Sequence, residues 1–465
     1  MDTAASEHRF ALEAQQLVVS LTSGKNFVHH PFLTQGLTFA QLHGMAAAIR
    51  ERTSKTLTQS RPLCLCSDNR AHMAAALLAS LGGGPPLLIP HAYGPEILEE
   101  ACVTTPYTHG LVEGDCNLPA GVSQVALPGV DEAHNHRRPR AECLPLDDTW
   151  LYLFTGGSTG TPRVWSKSPR NLLAESLNIA KTFGITDKDT ILSTVPANHI
   201  YGLLYSVLLP LVTGARVSLR TPSFPNEIVQ CLQETKATVL VSIPAHYRAL
   251  KQHPIGRHQV RIAYSSAGAL AEKDGIEFSN NTGIPITEIY GSTETGGIAQ
   301  RNRAAGQTAL HPFGCVEVKI EKTHLQVRSD FLSRELEKNG AGFFQTADRA
   351  QWASPSGFTL LGRSDGIVKV GGKRVDLAGT REALLQVEGA KDAYVFARPV
   401  HSGRENEIIA LVEGNTTADQ LHMAAQRHLP PHARPRTIKT TRRIPLSSTG
   451  KYNRTAIERI FDSQS

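Results

Sequence analysis

Short apolar runs of strand length alternate with helix-length segments along most of this chain, and that alternation constrains the fold more than any other feature. Arg61–Ser67 (RPLCLCS), Pro85–Pro90 (PPLLIP) and Trp150–Phe154 (WLYLF) have apolar centres without a polar face, as strands buried on both sides do. Between them lie helix-like stretches, Phe39–Arg50 and the small-residue run Ala71–Leu81, which stops at Gly82-Gly83-Gly84. Asn171–Phe183 reads as a helix, and Thr190–Val195, Val239–Ile243 and Arg261–Ser265 as further strands. Strand–helix–strand order of this kind builds parallel sheets covered by helices. The polar, Pro-containing segment Leu127–Asp148 suits a surface crossover.

After Glu317 the texture changes to short alternating pieces (VEVKIE, HLQVRS), a small β-rich unit. From Gly366 short strands at Ala393–Ala397 and Glu407–Val412 accompany one helix, Ala418–His428. The expected fold is α/β: a large N-terminal body of several subdomains, residues 1–363, with helix-covered sheets, and a small α+β C-terminal domain, residues 364–465, joined near Arg363–Gly366. A chain of 465 residues has the length for this.

Charge is unevenly placed. The formal net charge is +6, and Gly366–Ser465 carries 16 Lys and Arg against 10 Asp and Glu, so the whole excess sits there. No acidic residue lies between Asp419 and Glu458, while Arg427, Arg434, Arg436, Lys439, Arg442, Arg443, Lys451 and Arg454 do. Such a tract is either a solvated face or a surface that meets an anion. The balance over the whole chain is too mild for a nucleic-acid binder. The polar start (MDTAASEHRF) lacks a secretory pattern, and the longest apolar run, Leu203–Ala215, is too short and interrupted to span a bilayer. Seven scattered cysteines without a CxxC pair suggest buried, reduced thiols rather than a zinc site, and a cytoplasmic location is expected.

Four motifs carry chemistry. Phe154–Arg163 (FTGGSTGTPR) packs glycines and hydroxyls after a strand, which is either an ordinary turn or a cradle whose N–H and O–H groups converge on an anion; it is not a Walker A loop. Ile289–Gly297 (IYGSTETGG) places an aromatic ring, a glycine, hydroxyls and a carboxylate together, which a strand end with a turn also explains. Gly362–Asp365 with Ile367–Val375 (IVKVGGKRV), and Ile444–Arg454 (IPLSSTGKYNR), could each be a hairpin with charged edges.

In this order the four resemble the core motifs of the adenylate-forming superfamily, which includes acyl- and aryl-CoA synthetases, adenylation domains of non-ribosomal peptide synthesis, and luciferases. The resemblance spans essentially the whole chain, with Thr346-Ala347-Asp348 similar to the family's ribose-binding TGD. It implies ATP and Mg²⁺ as cofactors, an acyl-adenylate intermediate with release of AMP and pyrophosphate, and transfer to the thiol of coenzyme A or a phosphopantetheine arm. It further implies that Lys451 is the catalytic lysine bridging the reacting phosphate and carboxylate. Thr155, Ser158, Thr159 and Gly160 would cover the phosphates, Glu294 would hold the metal, and Gly291 and Thr293 would contact the nucleotide. Tyr290 would pack on adenine beside Ala267-Gly268-Ala269, and Asp348 and Arg363 would bind the ribose hydroxyls. Asp365 would be the hinge on which a mobile C-terminal domain swings, bringing Gly371 and Gly372 to a thiol channel.

The acyl pocket would draw on His199, Ile200, Tyr201, Gly202, Ser242 and Ser265; His199 and Gly202 match the PxxHxxG of acyl- and aryl-CoA ligases, where the histidine lies beside the reacting carboxylate. No aspartate stands there to hold an α-ammonium, which disfavours an amino acid. The compact chain resembles small ligases that load hydroxybenzoate-like acids, the expected substrate class, with a medium- or long-chain fatty acid as the alternative. A non-catalytic acyl-adenylate-binding protein and a luciferase-like oxidase share the same motifs. An acyl carrier protein is a possible partner, its acidic helix facing the basic tract. Several positions depart from the family pattern. Arg163 stands for the usual lysine, Val164 for glycine and Leu446 for lysine, and 317–346 is short without a clear GELxxxG.

Overall fold

A computed structural model describes residues 3–54, 61–134, 143–155, 163–251, 253–268, 270, 272–363, 366–400, 406–445, 452 and 454–462. The chain divides into two compact units, one over Met1–Thr155 and Arg163–Leu361, the other over Gly362–Ser465.

Two large sheets form the first unit's framework. In the six-stranded sheet the order is Ser123–Ala126, His109–Val112, Leu63–Cys66, Leu87–Ile89, Leu151–Thr155, Arg163–Lys167, parallel throughout except for the last pair. Its central strands are buried along their length, which is why LCLC and LLI show no polar alternation. The seven-stranded sheet runs His311–Pro312, Gly296–Asn302, Ile286–Ser292, Ile262–Ser265, Val239–Ser242, Thr190–Ser193, Arg216–Val217, with its last five strands parallel. A four-stranded sheet of Glu317–Glu321, His324–Arg328, Phe344–Ser354 and Gly357–Arg363 follows.

The helices end where local chemistry stops them. Arg70–Leu81 begins at Asn69, whose side chain accepts the Ala71 N–H at 3.0 Å, and closes at Gly82. Pro169–Phe183 starts in a capping box of Ser168 and Asn171 with proline in the first turn, and ends on a left-handed Gly184. The apolar run noted above is a helix buried all round. Ile200–Leu203 passes into a π-helical turn, Leu204–Leu208, and then Leu209–Thr213, ending at left-handed Gly214. Among the described residues no helix is long and apolar enough to cross a membrane. Of the seven cysteines, Cys64, Cys66 and Cys231 are buried and the other four half-buried; all are free thiols.

The second unit contains a hairpin, Ile367–Val370 with Lys373–Asp376, and a three-stranded sheet of Ala390–Pro399, Asn406–Gly414 and Thr437–Thr441. The central strand feeds two cores by its period of two: Ile408, Ala410 and Val412 pack with Leu421 and Ala425, while Ile409 and Leu411 pack with Ile457 and Phe461. Among the described residues three helices are present rather than one, Leu377–Leu385 and Arg454–Asp462 joining Ala418–His428. The extra two escape sequence reading because both are only nine residues long, and the second sets its apolar Ile457 and Phe461 among charges at the end of the basic tract.

One buried cation ties the two large sheets together. Arg70 is fully buried and donates to the Ser206 hydroxyl at 3.0 Å, to Leu219 O and Thr221 Oγ1 at 2.9 Å, and to the carbonyls of Ser193 and Val195 at 3.3 and 3.2 Å. Burial lowers its pKa to about 10, so it stays charged at neutral pH. Arg70→Met leaves these acceptors dry, each at about 1–3 kcal/mol before relaxation. We therefore expect a net loss of about 2–4 kcal/mol, read by chemical denaturation.

Candidate active site

Four of the expected site segments leave one edge of the seven-stranded sheet, whereas Thr155 ends a strand of the six-stranded sheet. Parallel strands Thr190–Ser193, Val239–Ser242, Ile262–Ser265 and Ile286–Ser292 are neighbours, with Ser193 in register with Val241, Ser242 with Ser265, and Ser265 with Glu288. Their carboxyl ends carry, in turn, Thr194–His199, Ile243-Pro244, Ser266–Gly268 and the Tyr290–Glu294 motif. The crevice beyond the carboxyl ends of parallel strands is where open α/β sheets hold ligands. There Ala267 holds a φ of +67°, a left-handed conformation that costs a residue with a Cβ about 1–2 kcal/mol.

At the sheet's fourth exit Tyr290 and Asp348, 58 positions apart, meet: the Tyr290 hydroxyl donates to Asp348 Oδ2 at 2.6 Å. Asp348 is fixed from behind, its N–H donating to Thr346 Oγ1, which itself donates to Leu325 O. The turn that follows Tyr290 is closed by its own hydroxyls. Ser292 Oγ and Thr295 Oγ1 lie 2.9 Å apart, and each accepts the other residue's N–H. Thr293 and Glu294 stand between them, both half-buried, and Glu294 Oε2 is shielded from solvent. A carboxylate beside a hydroxyl is a hard-oxygen donor set that suits Mg²⁺. Among the described residues no three His, Cys, Asp or Glu side chains cluster. A magnesium ion held mainly by nucleotide phosphates needs only one or two carboxylates, so the donors present fit it.

Beneath the turn lie two buried charges that sequence reading missed. Lys167, almost fully buried, donates from Nζ to Phe331 O at 2.9 Å and Glu294 O at 3.3 Å. Glu175, on the helix Pro169–Phe183, accepts the Gly297 N–H at 2.7 Å. Burial pulls the Lys167 pKa down to about 8 against the fields of Glu175, Glu294 and Glu335. Burial pushes the Glu175 carboxyl up to about 7 against Lys167 and the Gly297 N–H. Only the pairing of a lysine and a glutamate eight residues apart in an apolar context could have pointed to them.

On the side expected for the acid, His199 immediately precedes the short helix Ile200–Leu203, its side chain making no capping bond to it. Tyr201 is buried, its hydroxyl donating to Ser242 O at 3.2 Å, and a Cβ on Gly202 would collide with the Pro196 carbonyl. Ser242 Oγ lies 2.8 Å from Thr194 Oγ1, which is 2.8 Å from His246 Nδ1, a small polar cluster that sequence reading also missed. Ser265 is buried at its strand end. Of the remaining expected residues, Ser158, Thr159, Gly160, Asp365 and Lys451 lie outside the described residues, as do the side chains of Thr155 and Arg363. In the second unit Gly371 and Gly372, with φ of +58° and +78°, are the two-residue turn of a hairpin in which Val370 pairs with Lys373, a conformation that itself calls for Gly-Gly.

Part of the basic tract is used internally. Arg434 donates to Leu429 O and Gln426 O at the end of the helix Ala418–His428, and Lys439 to Ile460 O at the end of Arg454–Asp462, both cations at helix C-termini. Arg436 stands 3.8 Å from Glu407, whereas Arg427, Arg442 and Arg443 are exposed.

A family model described as AMP-binding enzyme matches residues 22–330. A 4-coumarate–CoA ligase of Cereibacter sphaeroides is 29% identical over 329 residues, 69% of this chain and 72% of that protein. A 3,4-dihydroxybenzoate–[aryl-carrier protein] ligase of Bacillus anthracis is 22% identical over 316 residues, 66% and 73% of the respective chains. In solved structures the same fold occurs in the amide bond synthetase McbA from Marinactinospora thermotolerans, with a TM-score of 0.78 at 18% identity over 96% of this chain and 99% of that one. It occurs also in o-succinylbenzoate CoA synthetase from Bacillus subtilis, with a TM-score of 0.74 at 18% identity over 91% and 93%.

Glu175 has a pH signature. Its raised pKa means that the folded protein keeps a proton the unfolded chain has released, so this group's ionisation opposes folding as pH rises from about 4.5 to about 7. Glu175→Gln removes that titration. The stability difference between variant and wild type should therefore shift in the variant's favour between pH 5 and pH 7, measured by denaturation at both. A difference that does not change with pH contradicts the assignment.

Proposed function

The chain belongs to the AMP-binding enzymes, and from that premise we propose that it activates a hydroxybenzoate-like aryl acid as its adenylate and passes the acyl group to a phosphopantetheine thiol. The observation that carries the reading is the convergence of four expected site segments at adjacent carboxyl ends of one parallel sheet, closed by the Tyr290–Asp348 hydrogen bond.

In the first step a carboxylate oxygen attacks the α-phosphorus of ATP and the bond to pyrophosphate breaks. Two anions must approach, so positive charge at the α-phosphate is the main requirement. Lys451 supplies it, its ammonium meeting oxygens of the carboxylate and the α-phosphate, with His199 beside the carboxylate. Glu294, with Thr293 adjacent, would hold Mg²⁺, which would supply charge neutralisation at the phosphates. Asp348 accepts hydrogen bonds from the ribose diol, and the Tyr290 hydroxyl fixes the carboxylate's orientation while its ring packs on adenine. In the second step a thiolate adds to the acyl carbonyl, and AMP leaves as the carbon–oxygen bond to phosphate breaks. Movement of residues 364–465 about Asp365 separates the two steps, withdrawing Lys451.

The aryl assignment rests on the named activities of the coumarate and dihydroxybenzoate ligases. The Thr194–Ser242–His246 cluster supports it, because hydroxyl and imidazole groups can meet a ring hydroxyl. The acceptor is a carrier protein, with the exposed Arg427, Arg442 and Arg443 meeting its acidic helix.

Pyrophosphate exchange across a panel of aryl, fatty and amino acids tests the reading. Exchange should be strongest with hydroxybenzoates and fall about 10²–10³-fold in Lys451→Ala; exchange with none of the acids overturns it. Tyr290→Phe should raise the KM for ATP about 10- to 100-fold, as loss of one hydrogen bond to a charged group does. Arg442→Glu with Arg443→Glu should slow transfer to a carrier protein but not to coenzyme A. Equal transfer to the carrier removes the docking assignment.

A further inference from the structure

The buried pair beneath the Tyr290–Gly297 turn does more than fill the core. Burying a charged group costs stability that hydrogen bonds to main-chain atoms only partly return, so the pair is poorly explained by stability alone. Its bonds point elsewhere. Lys167 donates to the carbonyl of Glu294, and the same carbonyl takes a second donor, the Ser333 N–H, at 2.9 Å. Glu175 holds the N–H of Gly297 three residues later. Thus the two ends of a four-residue segment, Glu294 to Gly297, are gripped by opposite charges from a strand and the helix that follows it.

The segment is shaped to this grip. Gly296 has a φ of +67°, and a Cβ there would come within 2.7 Å of Glu175 Oε2 and of the Phe331 Cβ. A Cβ on Gly297 would stand 3.2 Å from Glu175 Oε1. The Gly-Gly that ends the motif is therefore the space the carboxylate occupies. The strap carrying Phe331 and Ser333 is anchored to the same helix, where Asn171 Nδ2 donates to Asp330 O at 2.6 Å and Leu332 O at 3.2 Å.

We infer that Lys167 and Glu175 are positioning residues for Glu294, fixing its main chain from both sides so that its carboxylate meets magnesium-bound nucleotide. The inference rests on the reading of Glu294 as the metal-holding residue. Groups that orient a metal-binding carboxylate without touching the metal typically cost about 10–100-fold in metal affinity when removed.

The test compares wild type with the volume-conserving double variant Lys167→Met/Glu175→Leu, with Glu175→Gln, and with Lys167→Arg as the conservative rescue. Calorimetry with the full chain measures the affinity for ATP with and without Mg²⁺, and for AMP without metal; thermal denaturation is run in parallel. The double variant should retain the wild-type melting temperature within a few degrees and its AMP affinity within about twofold. Its affinity for ATP in Mg²⁺ should fall about tenfold or more, and Lys167→Arg should lie between variant and wild type. If the double variant does not fold, Glu175→Gln is read by the same ratio. Equal losses for AMP and magnesium ATP, or no loss, overturn the inference while leaving Glu294 as the metal ligand. A wild type whose ATP affinity ignores Mg²⁺ overturns the metal role of Glu294, and the inference with it.

Discussion

Parallel strand pairing is the constraint on which the rest of this structure depends. Each parallel strand must be followed by a crossover that returns the chain to the same end of the sheet, so every strand releases its next segment at one common edge. Thr190–Ser193, Val239–Ser242, Ile262–Ser265 and Ile286–Ser292 obey this rule as direct neighbours. Segments 23 to 49 residues apart in sequence therefore arrive side by side. The antiparallel strand Gly296–Asn302 then folds back on Ile286–Ser292, which turns the last exit into a tight hairpin with Thr293 and Glu294 at its tip.

Buried charge follows from the same geometry. Loops at the exits expose carbonyl and N–H groups inside the protein, and these need partners. Arg70 meets Ser193 O and Val195 O just before the segment that leads to His199, and Lys167 and Glu175 meet Glu294 O and Gly297 N. In each case a charged side chain is spent on the main chain of a site segment. A cation hydrogen-bonded to several carbonyls holds them more firmly than one neutral donor can, since charge-assisted bonds are about twice as strong. Rigid loops are what nucleotide recognition requires, because the ligand's charges must meet donors already in place.

Legibility in the sequence followed the same physics. The parallel strands were readable because burial on both faces leaves a continuous apolar signal, as in LCLC and VLVS. Helix Ala418–His428 was readable to its ends because Thr417 and Gln420 form a capping box. The motif residues Tyr290, Glu294 and Asp348 were found by resemblance, and their proximity is a property of the fold. Lys167, Glu175 and Arg70 were not legible. A lone charge in a sequence looks solvated until the fold shows which carbonyls surround it. In sequence Leu203–Ala215 is an interrupted apolar run, whereas in the fold its Pro210 and Gly214 mark a late helical turn and its left-handed cap. In the basic tract, composition alone could not separate Arg434 and Lys439, which close helices, from Arg442 and Arg443, which face solvent.

Membership of the AMP-binding enzymes implies one bond-breaking event above all others, cleavage of ATP between its α- and β-phosphates. The most direct measurement is the identity of the nucleotide and phosphate products, followed by phosphorus NMR while the protein turns over ATP with a hydroxybenzoate and a phosphopantetheine thiol. The account predicts AMP and pyrophosphate in equal amounts, matched to the thioester formed. ADP with inorganic phosphate would contradict it.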